Sequence, residues 1–216
     1  TVFGLSAERG EVITVPVEAE GEAKDPSAAS VGEIDTSARP TITAVGTTPV
    51  VLDAAAGIVT SPGGFRAELP GANEAVLQQA SAETDAVAIA TPDALVRLPF
   101  DGSEPSTTQA GGTGTPTAPV WLRGCTYGAW AGTATFLREC PGSSNDVNAT
   151  AEGAAEAQKL VFRVNRDAII PTDAVAGASW LPDESLPRAD TRHALPPPAG
   201  RPANEDTTTP QTAART

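Results

Sequence analysis

"VWLRGCTYGAWAGTATFLREC", residues 120–140, holds both cysteines of a 216-residue chain and four of its nine aromatic residues. The runs "VWLRGCTY" and "TATFLREC" carry the β-branched and aromatic residues of strands that lay one face on a core. With "GAWAG" as their connection they form an antiparallel hairpin, whose open end brings Cys125 and Cys140 opposite each other. The pair reads as a disulfide, with two buried free thiols as the alternative. Fourteen residues lie between the cysteines, which fits neither a CxxC redox pair nor the knuckles of a zinc site. Closing a loop of this size stabilises a fold by about 3 kcal/mol on chain-entropy grounds. Cysteine pairs in small β domains belong to oxidising compartments, so the expected location is extracellular or at the cell surface.

Working outward, the same strand–turn–strand design recurs. "TVFGLSAERGEVITVPV" (1–17) has two β-rich runs around Glu8, Arg9 and Gly10, and Gly10 supplies the positive φ such turns need. "PVVLDAAAGIVTSPGG" (49–64) turns between Asp53 and Gly57, and "DAVAIATPDALVRLPFDG" (85–102) turns at Pro92 and Asp93. "KLVFRVNRDAIIPTDAVAGASWLP" (159–182) supplies a fifth unit. Units of this size cannot bury their own apolar faces, and a spacing of roughly 35–50 residues suits propeller blades. The repetition is of pattern rather than of identical residues, so a sandwich stays open as the alternative. The expected fold is all-β: a propeller-like stack of small antiparallel sheets, a partial β-propeller, over 1–184, with a disordered Pro/Thr-rich tail over 185–216.

Composition agrees with many short strands and turns. Gly and Pro number 20 each, aromatic residues are only 4% and Met is absent. The segments 18–40, 102–119 and 141–159 are acidic, Gly/Thr/Pro-rich or polar and read as loops, with a short helix or a disordered loop within "ATAEGAAEAQKL". A net charge of -13 with only 14 Lys and Arg repels phosphate backbones and anionic lipid, which argues against nucleic-acid and membrane-surface partners. No apolar run approaches the roughly 20 residues that cross a bilayer. The start at Thr1, inside a strand-like run, reads as a processed product or a piece of a longer chain.

Candidate sites are few. Trp121, Tyr127, Trp130 and Phe136 read either as core packing around the cysteines or as a stacking platform for a ligand. Trp130, flanked by alanines next to the expected turn, is the foremost contact candidate, followed by Tyr127 and Trp121. The single histidine, His193, falls in the tail, so neither a Ser-His-Asp device nor a multi-histidine metal site is expected. Asp53, Asp85, Asp93, Asp101, Asp167 and Asp173 lie at turns and strand ends, where aspartate commonly caps the backbone. No catalytic residue, cofactor or metal is assigned. "AGGTGTP" lacks the lysine and helix of a phosphate loop, and "NAT" (148–150) matches a glycosylation acceptor only as a short motif.

Four segments carry a family resemblance: "ITAVGTTPVVLDAAAGIVTSPGG", "AVLQQASAETDAVAIATPDALVRLPFDG", "APVWLRGCTYGAWAGTATFLREC" and "LVFRVNRDAIIPTDAVAGASWLPDE". Together they resemble the N-terminal ectodomain of large actinobacterial proteins with fibronectin type III or Ig-like domains, over residues 1–184. The resemblance implies a surface-anchored parent protein, a propeller-like region followed by tandem modules, and a genomic neighbourhood that includes a MoxR-type ATPase. It implies a non-catalytic scaffold or adhesion role toward a protein or glycan at the cell surface, and transfers no catalytic residue. Further blades and a membrane helix are expected upstream of this segment. An accessory module of a secreted carbohydrate-active enzyme is the alternative, and a propeller lyase or hydrolase using paired carboxylates a more distant one. Oligomeric state is left unassigned.

Overall fold

The computed structural model describes residues 1–82, 85–142, 146–151, 154–165, 168–180 and 188–189. Among these, every regular element is a β-strand or a single 3-10 turn, and the strands form five antiparallel sheets in chain order. The first sheet contains β1 (Val2–Ser6), β2 (Glu11–Val15) and β3 (Ser27–Ser30). The second contains β4 (Thr41–Val45), β5 (Thr48–Asp53), β6 (Ile58–Thr60) and β7 (Arg66–Glu68). The third contains β8 (Val76–Leu77), β9 (Ala86–Ala90), β10 (Ala94–Pro99) and β11 (Ser106–Gln109).

In the fourth sheet β12 (Thr115–Pro116) and β13 (Val120–Leu122) lie end to end along β14 (Cys125–Ala131), followed by β15 (Thr135–Glu139) and β16 (Val147–Thr150). The fifth contains β17 (Leu160–Asn165), β18 (Ala168–Asp173), β19 (Ser179–Trp180) and β20 (Arg188–Ala189).

The period of two along the inner strands of the middle sheets divides their side chains between two neighbouring sheets. In β9, Val87 and Ile89 join the core shared with the second sheet, while Ala86, Ala88 and Ala90 face the fourth. In β5, Val51 packs toward the first sheet and Val50 and Leu52 toward the third. In β14, Trp130 enters the core with Leu95 and Leu137, while Ala129 and Ala131 join the core that reaches Phe162 and Trp180 of the fifth sheet. The cores thus lie between successive sheets. Interior strands are covered on both faces, which is why "AVAIA" is apolar throughout.

The second to fifth sheets are also tied to one another by hydrogen bonds from the segments before β9 and β13. Val45 and Ser81 form a parallel bridge, with Ser81 N donating to Ala44 O at 3.0 Å. Gln79 N donates to Pro119 O at 2.8 Å and its side-chain amide to Phe162 O at 3.3 Å. The Thr117 hydroxyl donates to Leu160 O.

One repeat exists at residue level. "DAAAG" (53–57) and "DAVAG" (173–177) form the same turn after the second strand of the second and fifth sheets. Asp53 Oδ1 accepts from Ala56 N at 3.0 Å and Asp173 Oδ1 from Val175 N at 2.9 Å. Each turn ends in a glycine at positive φ, 66° for Gly57 and 72° for Gly177.

Several expectations are corrected. The hairpin turns at Gly132–Ala134 and not within "GAWAG", whose Gly128 to Ala131 belong to β14. "VWL" is a separate strand, joined to β14 through Arg123 and Gly124, both at positive φ. The segments read as loops contain the outer strands β3, β11 and β16 as well as β12. Their polar residues suit an outer strand, whose backbone is held by the ladder while its side chains meet water. The possible helix in 149–160 is only a 3-10 turn, Ala154–Glu156. The fifth sheet runs past the boundary at 184, because Trp180 pairs with Arg188. The remainder of the tail, including His193, lies outside the described residues, as does Asp167.

Candidate binding surface

Cys125 and Cys140 form the expected disulfide, with Cα atoms 4.2 Å apart. The register sets this up: Thr126 pairs with Glu139, so the preceding and following residues stand opposite one another at the hairpin's open end.

The aromatic residues next to the disulfide are arranged otherwise than expected. Trp130, the foremost contact candidate, is fully buried, and its indole N–H donates to Thr91 O at 2.7 Å. Its neighbours are small because the large ring occupies the space: a Cβ on Gly128 would stand 2.8 Å from the Trp130 ring. Trp130 is therefore a core residue and not a ligand contact. Trp121 is also buried, its N–H given to Gln78 Oε1 at 2.8 Å and its face under the Arg97 guanidinium at 5.7 Å. Tyr127 is half-buried against Phe136, ring centroids 6.1 Å apart. None of the nine aromatic side chains is exposed, so no stacking platform stands on the surface.

Gln78, which sequence reading passed over, connects the third and fourth sheets. It is 2% exposed. Its Oε1 accepts from Ala88 N at 2.7 Å as well as from Trp121, and its Nε2 donates to Ser81 Oγ at 3.1 Å and Gln79 O at 3.3 Å. A glutamine amide carries two N–H donors and an oxygen with two acceptor sites on one long uncharged side chain, which matches this set of partners.

Asp53, Asp101 and Asp173 serve the backbone. Asp53 is buried and also accepts from Asp35 N at 2.9 Å, which anchors the approach to β4. Burial acts most strongly on Asp173 and opposes its charge, but the backbone N–H groups of Val175, Ala176, Lys159 and Gln158 outweigh it and hold the carboxyl below its usual range. Asp85 pairs with Arg97 at 2.7 Å, and Asp93 accepts from the Thr91 hydroxyl at 2.9 Å. Asp101 accepts from Ser103 N, and the Ser103 hydroxyl followed by its backbone keeps this exposed carboxyl low. Among the described residues, no three His, Cys, Asp or Glu side chains gather as a metal-ligand set, and no helix is long and apolar enough to cross a membrane.

Among several surface clefts, two lie where the tied segments meet. One cleft is lined by Gln79, Thr115–Ala118 and residues 158–162, and a second by residues 1–3, Ile42–Ala44 and Gln78–Ala80. Gln79 is common to both. Their walls carry exposed amide, hydroxyl and ammonium groups, those of Gln79, Thr1, Thr115, Gln158 and Lys159. Such groups hold polar ligands by hydrogen bonds without stacking. Neither a protein-family model nor any curated protein matches this chain.

Proposed function

We propose that this chain is a non-catalytic scaffold or adhesion module at the cell surface, a propeller-like arc of sheets from the ectodomain of an actinobacterial envelope protein with fibronectin type III or Ig-like domains. The observation that carries the reading is the serial stack itself: cores that lie between successive sheets, with hydrogen bonds tying the second to the fifth. Such a stack is a rigid platform. The disulfide supports an oxidising location. Contacts are made by polar groups at the clefts around Gln79 and by the outer strands β3 and β11, not by aromatic residues, and the buried aromatics weigh against the glycan-stacking accessory module.

The test is co-sedimentation of the purified, oxidised protein with actinobacterial cell-envelope fragments, using wild type and the double variant Gln79→Ala, Lys159→Ala. The expected result is saturable binding by wild type that the double variant reduces at least several-fold. Binding no greater than that of an unrelated acidic protein would overturn the reading.

A further inference from the structure

Three polar atoms that are buried without a hydrogen-bond partner among the described residues belong to one neighbourhood. They are Arg97 Nε, Thr126 Oγ1 and Glu139 Oε2. Thr126 and Glu139 are directly paired across β14 and β15, and Trp121 is paired with Thr126 across β13 and β14. On the facing sheet, Arg97 is paired with Ser106. Two contacts close the gap between the sheets: the Ser106 hydroxyl donates to Glu139 Oε1 at 3.3 Å, and the Arg97 guanidinium lies over Trp121. Strand alternation agrees. Leu95, two residues before Arg97, and Trp130, four after Thr126, share one core, so Arg97 and Thr126 project into the same space between the third and fourth sheets.

The chemistry of the three atoms is complementary but indirect. Arg97 Nε is a donor, Glu139 Oε2 an acceptor, and the Thr126 hydroxyl is either. Arg97 and Glu139 carry opposite charge, yet the guanidinium's direct ion pair is with Asp85, at the solvent edge. Thr126 is 0% exposed, and a hydroxyl so placed without a partner is rare in folded proteins. A single water placed among them would accept from Arg97 Nε–H, donate to Glu139 Oε2 and partner the Thr126 hydroxyl, within the two to four polar partners a buried water requires.

We propose that one ordered water occupies the space between the third and fourth sheets at Arg97, Thr126 and Glu139, and that it bridges the guanidinium to the carboxylate. The pair then becomes a water-mediated ion bridge that joins the two sheets beside Trp121, one residue from each cysteine of the disulfide. Burial, followed by the charge of Asp146, pushes the Glu139 carboxyl up, while the Ser106 hydroxyl, Arg97 and, least, Thr108 draw it down.

A high-resolution crystal structure and one variant test this. The expected density is an isolated peak at about 2.7–3.2 Å from all three atoms. The sign of the Thr126→Val effect is a second reading. A hydroxyl buried with no partner costs stability, so its removal would leave the melting temperature unchanged or raise it. A hydroxyl that holds a bridging water is needed, so the isosteric Thr126→Val is expected to lower the melting temperature by roughly 2–4 °C. Absence of the peak, direct bonds among the three groups, or a Thr126→Val protein as stable as wild type would each overturn the proposal. If Thr126→Val does not fold, the wild-type density decides.

Discussion

Gln78 and Asp173 show how single polar side chains organise a chain with few large core residues. Replacing Gln78 with Leu keeps the volume but strands the Ala88 and Trp121 N–H groups in the interior, at about 1–3 kcal/mol each. Urea denaturation of Gln78→Leu should therefore show a loss of roughly 2–6 kcal/mol, with the slope unchanged. Asp173 should give a pH signature. Its folded carboxyl sits below the usual range, so its contribution is present above the unfolded carboxylate value of about 3.9 and is lost as pH falls through the lower folded value. Stability measured against pH should fall less steeply toward acid in Asp173→Asn than in wild type, and the variant should be weaker at neutral pH. An acid limb identical in both proteins would remove this role. The role of Gln78 is not legible in the sequence. "LQQAS" has no feature that singles out its first glutamine, because the partners lie on strands far along the chain. The turn-capping role of the aspartates was legible, since it depends on residues two or three positions away.

At the scale of elements, local chemistry again separates what could be read from what could not. The turns at Gly10, at Asp53 to Gly57 and at Pro92–Asp93 follow from turn residues between apolar runs, and they stand where expected. Gly10 has φ 61°, and a Cβ there would meet Gly32 O at 2.1 Å. The outer strands read as loops in the sequence because "SAAS" and "STTQ" carry no apolar alternation and the alternation of "VNAT" is only four residues long within a polar segment; the ladder to an inner strand defines them, and that partner is not a local signal. Gly128 and Trp130 misled for a related reason. Small residues around a tryptophan resemble an exposed turn, whereas here they make room for its ring. Gly128→Ala should therefore overpack the space between the third and fourth sheets and cost about 1–3 kcal/mol, measured by thermal unfolding with Trp fluorescence as the local probe. An unshifted emission spectrum and unchanged stability would show that the ring does not depend on the glycine.

At the scale of the whole molecule, the five sheets among the described residues share four interfaces, and the inner strands divide their side chains between neighbours. That arrangement explains how a chain with 4% aromatic residues buries all of them at least in part. The disulfide adds a covalent constraint to the fourth sheet, and its reduction is expected to remove about 3 kcal/mol of stability. The surface reading of this module depends on that bond forming in the protein where it works. The most direct measurement is intact mass after free thiols are blocked under non-reducing recovery, with and without prior reductant. An oxidised Cys125–Cys140 pair gives no blocked thiol before reduction and two after it. Two blocked thiols before reduction would contradict both the stapled hairpin and the extracellular platform built on it.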